Sequence, residues 1–464
     1  MAPKSVRAPV AGCEEHVAFS RNAGKVGLQN LSNTCFMNAG LQCLSHIEPL
    51  VAYFLNGRYR DELNAANPMG CRGELATGFA ELQRSLWQCD RKLHDPGDLH
   101  KILTRFAPHL FEGAEQQDVQ EFLAFCLDGL HEDLNRVHAQ PPALTAERLR
   151  ADEALARERS DEFAAALAWL RHLERGKSFL VDLLQGQLRS SLSCCTCGFR
   201  SSRFDPFLYL SVPVTKGMSC VTDTLDKYLE EELLTGDEQW HCPQCNAKVD
   251  ARKKIDLWKL PPVLVLHLKR FAFDRQTLRF EKVETRLSMK LSLLDLSEYC
   301  SSSQRDGAVY DVACVANHAG AYGSGHYTAS CRVGGVSAGT WIHFDDSRAT
   351  PLGGRSVVTR ETYVLFLVRR EIPPDKPTWL GRAAGRTLLR RQTQSMPDEW
   401  PHPSDQVNEV LHATGLAAEP CATVADACAA AEEQPPRKRQ RRLEHYFGCG
   451  VAAAESQDES QQAG

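Results

Sequence analysis

Apolar positions recur at helical spacing in the first third of the chain. In QDVQEFLAFCLDGLHEDL, Val119, Phe122, Leu123, Cys126, Leu127 and Leu130 fall on one face of a 3.6-residue period, which predicts an amphipathic helix. DEFAAALAWLRHLE, residues 161–174, predicts another. From about Leu180 onward the pattern changes to strands. PPVLVLHLKRFAF is a short, continuous apolar run behind a Pro-Pro start, and ETYVLFLVRR is similar; both predict buried strands. Helices over residues 27 to about 135 and strands later give an α+β class rather than alternating α/β. The periodicity runs from about Gly27 to Arg369, broken by short Gly/Pro turns, which predicts one folded domain over residues 23–370. Residues 1–22 are small, polar and charged, a flexible N-terminus. Residues 371–464 are rich in Pro, charge and alanine runs and end acidic and Gln-rich, a mostly disordered tail. No solenoid-type repeat is present.

Composition narrows the class. The 464-residue chain is 43% hydrophobic and 24% charged, which suits a soluble globular protein. Its net charge of −5 argues against a global nucleic-acid binder while leaving room for a local basic patch. No run of about 18 apolar residues offers a membrane span. The segment MAPKSVRAPVAGCEEHVAFS has no apolar core of the kind that a secretory signal needs. The 18 cysteines are therefore expected to be reduced, as core residues, metal ligands or a nucleophile.

Cys35 follows Ser32-Asn33-Thr34, which are helix N-cap types, and Phe36, Leu41 and Leu44 give a helical stripe after it. A thiol at a helix N-terminus is expected to have a lowered pKa and so to supply a thiolate nucleophile. A buried structural cysteine beside a cap gives the same local pattern. Far downstream, NHAGAYGSGHYTASCRV runs through glycines into His326 at a strand start, and TWIHFDDSRAT brings Asp345 and Asp346. Two adjacent strands joined by a turn would set His326 beside a carboxylate, the base-plus-orienter pair of a Cys-His-Asp triad. Gly320, Gly323 and Gly325 permit close backbone approach next to the site. His318 competes as the base but lacks the glycine-then-strand setting, and a surface hairpin with an incidental histidine is the bland alternative.

Cys194 and Cys197 form one C-x-x-C pair, and Cys242 and Cys245 form a second about 45 residues later. Four thiolates so spaced predict a closed, structural zinc site, with Cys195 out of register. Four buried cysteines without metal are the alternative.

GLQNLSNTCFMN resembles the Cys box of the ubiquitin-specific proteases, the papain-like deubiquitinases, and GSGHYTA with WIHFDDS resembles their His box. EQQDVQEFLAFCLDGLHEDLNR, PPVLVLHLKRF and ETYVLFLV match further segments, so the resemblance spans nearly all of residues 27–369 in the family's order. NPMGCRGE (67–74) and FDPFLYLSVPV (204–214) resemble segments of its larger members, whose additional ubiquitin-like domains and inserts are not recognisable here. The resemblance implies Cys35 as nucleophile, His326 as base, Asp345 as its partner, Asn30 as oxyanion donor and Asp346 as an aid to orientation or to the oxyanion region. It implies a right-hand fold of helical thumb, β-rich palm and zinc-bearing fingers. The reaction would be hydrolysis of the isopeptide bond after the C-terminal glycine of ubiquitin. Gln117 and Asp118 fall in the segment similar to the ubiquitin-tail-binding thumb helix, although an ordinary helix cap explains Asp118 as well. Ser32 stands where many members have glycine, and Gly40 lies inside the first helix, at a cost of about 1 kcal/mol against alanine. A catalytically weak ubiquitin-binding scaffold and a protease for a ubiquitin-like modifier are the rival readings.

In the tail, Arg437, Lys438, Arg439, Arg441 and Arg442 form a basic run of nuclear-localisation type, so a nuclear and partly cytoplasmic location is expected. Gln440, Leu443, Tyr446 and Phe447 have the spacing of a box that resembles the one by which many proteins bind the sliding clamp PCNA. One helical turn would put the leucine and the aromatics on one face as an anchor.

Overall fold

The computed structural model describes residues 19–370, apart from Ala114, Gln140, Leu144, residues 275–278 and 301–306, Tyr322 and residues 336–338. Most of the expected flexible N-terminus and all of the tail motifs lie outside the described residues. The N-terminal part is helical, as expected. It comprises α1 (Cys35–Leu44), α2 (Glu48–Leu55), α3 (Glu74–Trp87), α4 (Gly97–Phe106), α5 (Pro108–Phe111) and α6 (Val119–Asp133). A short parallel pair, β1 (Gly27–Leu28) with β2 (Leu93–His94), lies among them. Then follow α7 (Ala146–Glu158), α8 (Asp161–Leu173) and α9 (Phe179–Leu184). Among the described residues no helix is long and apolar enough to cross a membrane.

The strand-rich part begins with β3 (Gly186–Cys194), β4 (Arg200–Phe207) and β5 (Leu210–Pro213), then α10 (Val221–Tyr228). It continues through β6 (Glu232–Leu234), β7 (Trp240–Cys242), β8 (Ala247–Val249) and β9 (Ala251–Lys259). The strands β3, β4, β6 and β9 form a four-stranded sheet in the order β4-β3-β9-β6, and β7–β8 is a separate hairpin. The last group is β10 (Val263–Lys269), β11 (Phe271–Asp274), β12 (Arg279–Lys282), β13 (Leu294–Asp295), β14 (Val309–Ala321), β15 (Ser324–Val333), β16 (Thr340–Asp345), β17 (Arg348–Leu352) and β18 (Thr362–Arg369). The central sheet runs β17-β16-β15-β14-β18-β10-β5, with β13 beside β14.

The apolar runs of β10 and β18 are unbroken because this sheet is covered on both faces. Val263, Val265, Val364, Phe366 and Val368 pack on one side with α1 and α6. Leu264, Leu266, Leu365 and Leu367 alternate to the other side, against Val221 and Leu225 of α10. In β14 the alternation slips at Ala313, where the register against β18 jumps between Val312 and Cys314. This bulge lets Ala313 and Cys314 both join the thumb-side core.

The face read for α6 is buried as predicted, and the helix buries Phe125 as well because it is packed on several sides. Gly40 in α1 has a packing reason. A Cβ there would sit 2.6 Å from the Phe122 ring of α6, so the glycine lets the helix that carries Cys35 lie against its neighbour. No disulfide joins the described cysteines; Cys43, Cys71, Cys126, Cys300, Cys314 and Cys331 are buried core residues.

Candidate active site

Cys35 opens α1 and is 3% exposed. The turn before it is unusual: Ser32 and Asn33 have φ of 77° and 54°, in the left-handed region. The position of Ser32 is one that glycine would fill without strain. Thr34 is the N-cap, but its hydroxyl accepts from the Leu31 N–H at 2.8 Å instead of capping α1. The helix start therefore presents its own N–H groups to the sulfur.

The pKa of Cys35 corrects the expectation drawn from the helix start. Burial is the largest influence and pushes the thiol above its usual range. The N–H of Tyr327 pulls it down, the Asp346 charge pushes it up, and the N–H groups of Phe36 and Cys35 itself pull it down. The helix effect is present but desolvation outweighs it, because α1 packs its first turn against the palm. The resting sulfur is thus held as a thiol, and a base must take its proton. Alkylation of Cys35 by iodoacetamide is expected to be slower at pH 7 than that of an exposed free thiol and to keep rising beyond pH 9. A rate already at its plateau near neutrality in the pH profile would contradict this.

His326 and Asp345 meet as the hairpin geometry predicts. Strands β15 and β16 pair with Ala329 opposite Phe344. Tyr327, Ala329 and Phe344 are buried in the thumb-side core, while the intervening positions His326 and Asp345 are partly exposed at the end of the hairpin. His326 Nε2 lies 2.7 Å from Asp345 Oδ1. That contact leaves Nδ1 unengaged by Asp345, and the Cys35 sulfur receives the backbone N–H of Tyr327, the residue next to His326. Both side chains are a little under half exposed, so the pair opens to a cleft. The competing His318 is excluded as the base. It is buried, its ring packs 4.6 Å from that of Tyr327, and Lys282 Nζ lies 3.1 Å from its Nδ1. Burial and then the lysine charge push it down to about 4.

Asn30 is held at both ends. Its Nδ2 donates to Asp346 Oδ2 at 2.8 Å, and its Oδ1 accepts from the Thr34 N–H at 3.2 Å. Asp346 occupies the turn after β16 with φ of 48°, and its backbone oxygen accepts from the Leu28 N–H. Its carboxylate, the His326 ring and the Asp345 carboxylate have atoms within 4.8 Å of one another. Asn38, which the sequence reading did not single out, donates to Asp346 Oδ1 at 2.8 Å.

The two thumb residues separate. Asp118 is the N-cap of α6, accepting from the Gln120 N–H at 2.7 Å. Its other oxygen accepts from the hydroxyls of Tyr327 and Tyr363 at 3.0 and 2.8 Å. This carboxylate ties the thumb to the palm, a duty that the sequence could not reveal. Gln117 is half-buried beside it. Its neighbour Gln116, also not singled out, reaches across to accept from the Gly325 N–H at 2.8 Å, directly before His326.

The four predicted cysteines converge. Cys194, Cys197, Cys242 and Cys245 have sulfurs within 4.8 Å of one another, with contacts of 3.8 Å for Cys194–Cys245 and 3.7 Å for Cys197–Cys242. In each pair the second cysteine's N–H turns back to the first sulfur, and a left-handed residue follows, Gly198 or Asn246. Such N–H contacts stabilise thiolates, and the Cys197 N–H is the chief cause that holds Cys194 below the usual thiol range. Four sulfurs so disposed could bind zinc. Cys195 is exposed and outside the cluster, as its spacing predicted.

Three comparisons with known proteins point to one family. The family described as "Ubiquitin carboxyl-terminal hydrolase" matches residues 26–367. Ubiquitin carboxyl-terminal hydrolase 2 of Homo sapiens is 40% identical over 347 residues, 74% of this chain and 55% of that protein, so the chain spans about half the length of this relative. Ubiquitin carboxyl-terminal hydrolase 21 of Homo sapiens is 36% identical over 373 residues, 77% of this chain and 64% of the relative. The SAGA Ubp8/Sgf11/Sus1/Sgf73 DUB module bound to monoubiquitin matches with a TM-score of 0.60 and 25% identity, covering 78% of this chain and 73% of that one. The α+β architecture of helical thumb, palm sheet and fingers is therefore that of a ubiquitin-specific protease catalytic domain.

Proposed function

The chain belongs to the ubiquitin carboxyl-terminal hydrolase family, and from that premise we propose that it is a cysteine-type deubiquitinase, hydrolysing the isopeptide bond after the ubiquitin C-terminal glycine. The observation that carries the reading is the His326–Asp345 contact of 2.7 Å, with the backbone N–H of Tyr327, the residue next to His326, on the Cys35 sulfur. His326 Nδ1 takes the thiol proton while Asp345 accepts from Nε2–H and stabilises the imidazolium. The sulfur adds to the glycine carbonyl, and the oxyanion is met by the Asn30 amide and helix-start N–H groups. His326 returns the proton to the departing lysine amine, leaving a thioester. Water, deprotonated by His326, then releases ubiquitin and restores the thiol. Gln117 borders the path of the ubiquitin tail, and Asp118 fixes the wall of that path. The four cysteines bind one structural zinc that rigidifies the fingers around ubiquitin. The test is release of a fluorophore from the C-terminus of ubiquitin. Turnover supports the reading; none with ubiquitin, but turnover of a ubiquitin-like conjugate, moves the enzyme to that modifier. No turnover of either, with ubiquitin still bound, returns the domain to the scaffold reading.

The tail adds location and a partner. Arg437 to Arg442 direct the enzyme to the nucleus, and Gln440, Leu443, Tyr446 and Phe447 dock it on PCNA, to remove ubiquitin from the clamp or its neighbours. This rests on the sequence spacing alone. Alanines at Leu443, Tyr446 and Phe447 are expected to abolish capture of the full-length chain by PCNA; capture that survives them rules the box out.

A further inference from the structure

We infer that Asn38 is a positioning residue for the oxyanion donor, acting on Asn30 through Asp346. The inference rests on the deubiquitinase reading and deepens it.

A carboxamide donor must have its plane fixed if one N–H is to meet an oxyanion that exists only during reaction. In this site the plane of Asn30 is fixed by two opposite contacts. A donor, the Thr34 N–H, faces its oxygen, and an acceptor, Asp346 Oδ2, faces its nitrogen. This pairing assigns the amide orientation without ambiguity, since a flipped amide would set its oxygen against a carboxylate. One of the two N–H bonds is used on Asp346, and the other remains for the substrate. Asp346 therefore does for Asn30 what Asp345 does for His326.

Asp346 itself needs holding. It sits in a turn at φ of 48°, in the left-handed region, which aspartate visits more readily than most non-glycine residues but which is still sparsely populated. Its backbone is tied by the Leu28 N–H. Its carboxylate is tied on the far side by Asn38, which lies on α1 one turn beyond Cys35 and is 2% exposed. Both donors of the Asn38 amide are used, one on Asp346 Oδ1 and the other on Gln29 O at 3.2 Å. Its Oδ1 meets no protein donor. A buried acceptor left in this state costs stability, so an apolar side chain would suit packing better. The site uses the two N–H groups, and they bind the Asp346 carboxylate to the segment that carries Asn30. Because Asn38 and Cys35 share α1, the nucleophile and the oxyanion donor are referred to one rigid element.

Steady-state turnover of a ubiquitin C-terminal fluorophore substrate by full-length protein tests this. Asn38→Ala is expected to lower kcat about 10–100-fold with KM nearly unchanged, the size of effect that a small misplacement of a reacting group produces. Asn30→Ala is expected to lower it about 100–1,000-fold. The double variant should be no slower than Asn30→Ala alone, because Asn38 has no other route to the reaction. A ubiquitin C-terminal alkyl halide provides the second measurement. It labels Cys35 by direct displacement with no oxyanion, so Asn38→Ala should label at the wild-type rate. Unchanged kcat in Asn38→Ala, a double variant that loses the product of both single effects, or lost labelling would each overturn the inference. The last two would show a merely structural role. Wild-type protein inert to both substrate and probe would instead defeat the deubiquitinase reading, so the two failures are distinguishable.

Discussion

Asparagine in place of Asp345 is expected to lower kcat about 1,000–10,000-fold while leaving KM and the fold nearly unchanged, by analogy with the same change in a serine protease triad. The carboxylate accepts from His326 Nε2 at 2.7 Å and so keeps the proton on that nitrogen, leaving Nδ1 free to take the Cys35 proton. An amide can donate through its own N–H to Nε2 instead, which moves the imidazole proton to Nδ1 and presents Cys35 with a donor. The buried thiol then has no base. Its pKa, already raised by burial, makes this loss more severe than in an enzyme whose cysteine rests as a thiolate. The measurement is steady-state turnover of ubiquitin-fluorophore by wild type, Asp345→Asn and Asp346→Asn. The Asp345 variant should be the slower of the two, since Asp346 acts on the Asn30 side. If Asp345→Asn costs under tenfold and Asp346→Asn costs more, the orienting role passes to Asp346, which is within reach of the same imidazole.

The parts of this site that the sequence disclosed are those carried by local pattern. The start of α1 at Cys35, the β15–β16 hairpin that joins His326 to Asp345, and the two cysteine knuckles are each set by a few contiguous residues. The unbroken runs of β10 and β18 could be read as buried strands because alternation disappears when both faces are covered. What escaped depends on residues brought together by packing. Asn38 reads in sequence as a polar interruption on a buried helix face, and its partner Asp346 is 308 positions away. The sign of the Cys35 shift escaped for the same reason. The helix start is local and was legible, whereas the burial that outweighs it comes from the palm folding over α1. Asp118 shows both cases in one side chain. Its cap on α6 is local, but its hold on Tyr327 and Tyr363 is tertiary. Gly40 is locally only a costly helix residue, and its reason, the Phe122 ring packed against it, is tertiary.

Removing zinc is expected to impair ubiquitin binding while sparing the chemistry. Strands β7 and β8 are three residues each and pair only with one another, and two-stranded hairpins of this size are marginal in water. Beside them Leu233 of β6 is 59% exposed, and the aromatic contact at this hairpin is the stack of Phe199 on Trp240. The cysteine cluster fastens this hairpin to the sheet. It joins the end of β3 to the end of β7, and without a cation its four sulfurs would face one another as competing thiols and thiolates. Cys242→Ser, or the wild type after chelation, is therefore expected to lose one bound zinc, to show earlier thermal unfolding and to raise KM for ubiquitin-fluorophore about tenfold or more. A fluorogenic peptide of only the last few ubiquitin residues should be turned over at the wild-type rate, because Cys35, His326 and Asp345 stand on the thumb and palm. Metal analysis and the two substrates separate the outcomes. Purified active protein with no zinc and an unchanged KM would mean that hydrogen bonding among the thiols suffices. Loss of peptide turnover as well would mean that the fingers and palm fold as one unit, so that the metal stabilises the whole domain instead of its grip alone.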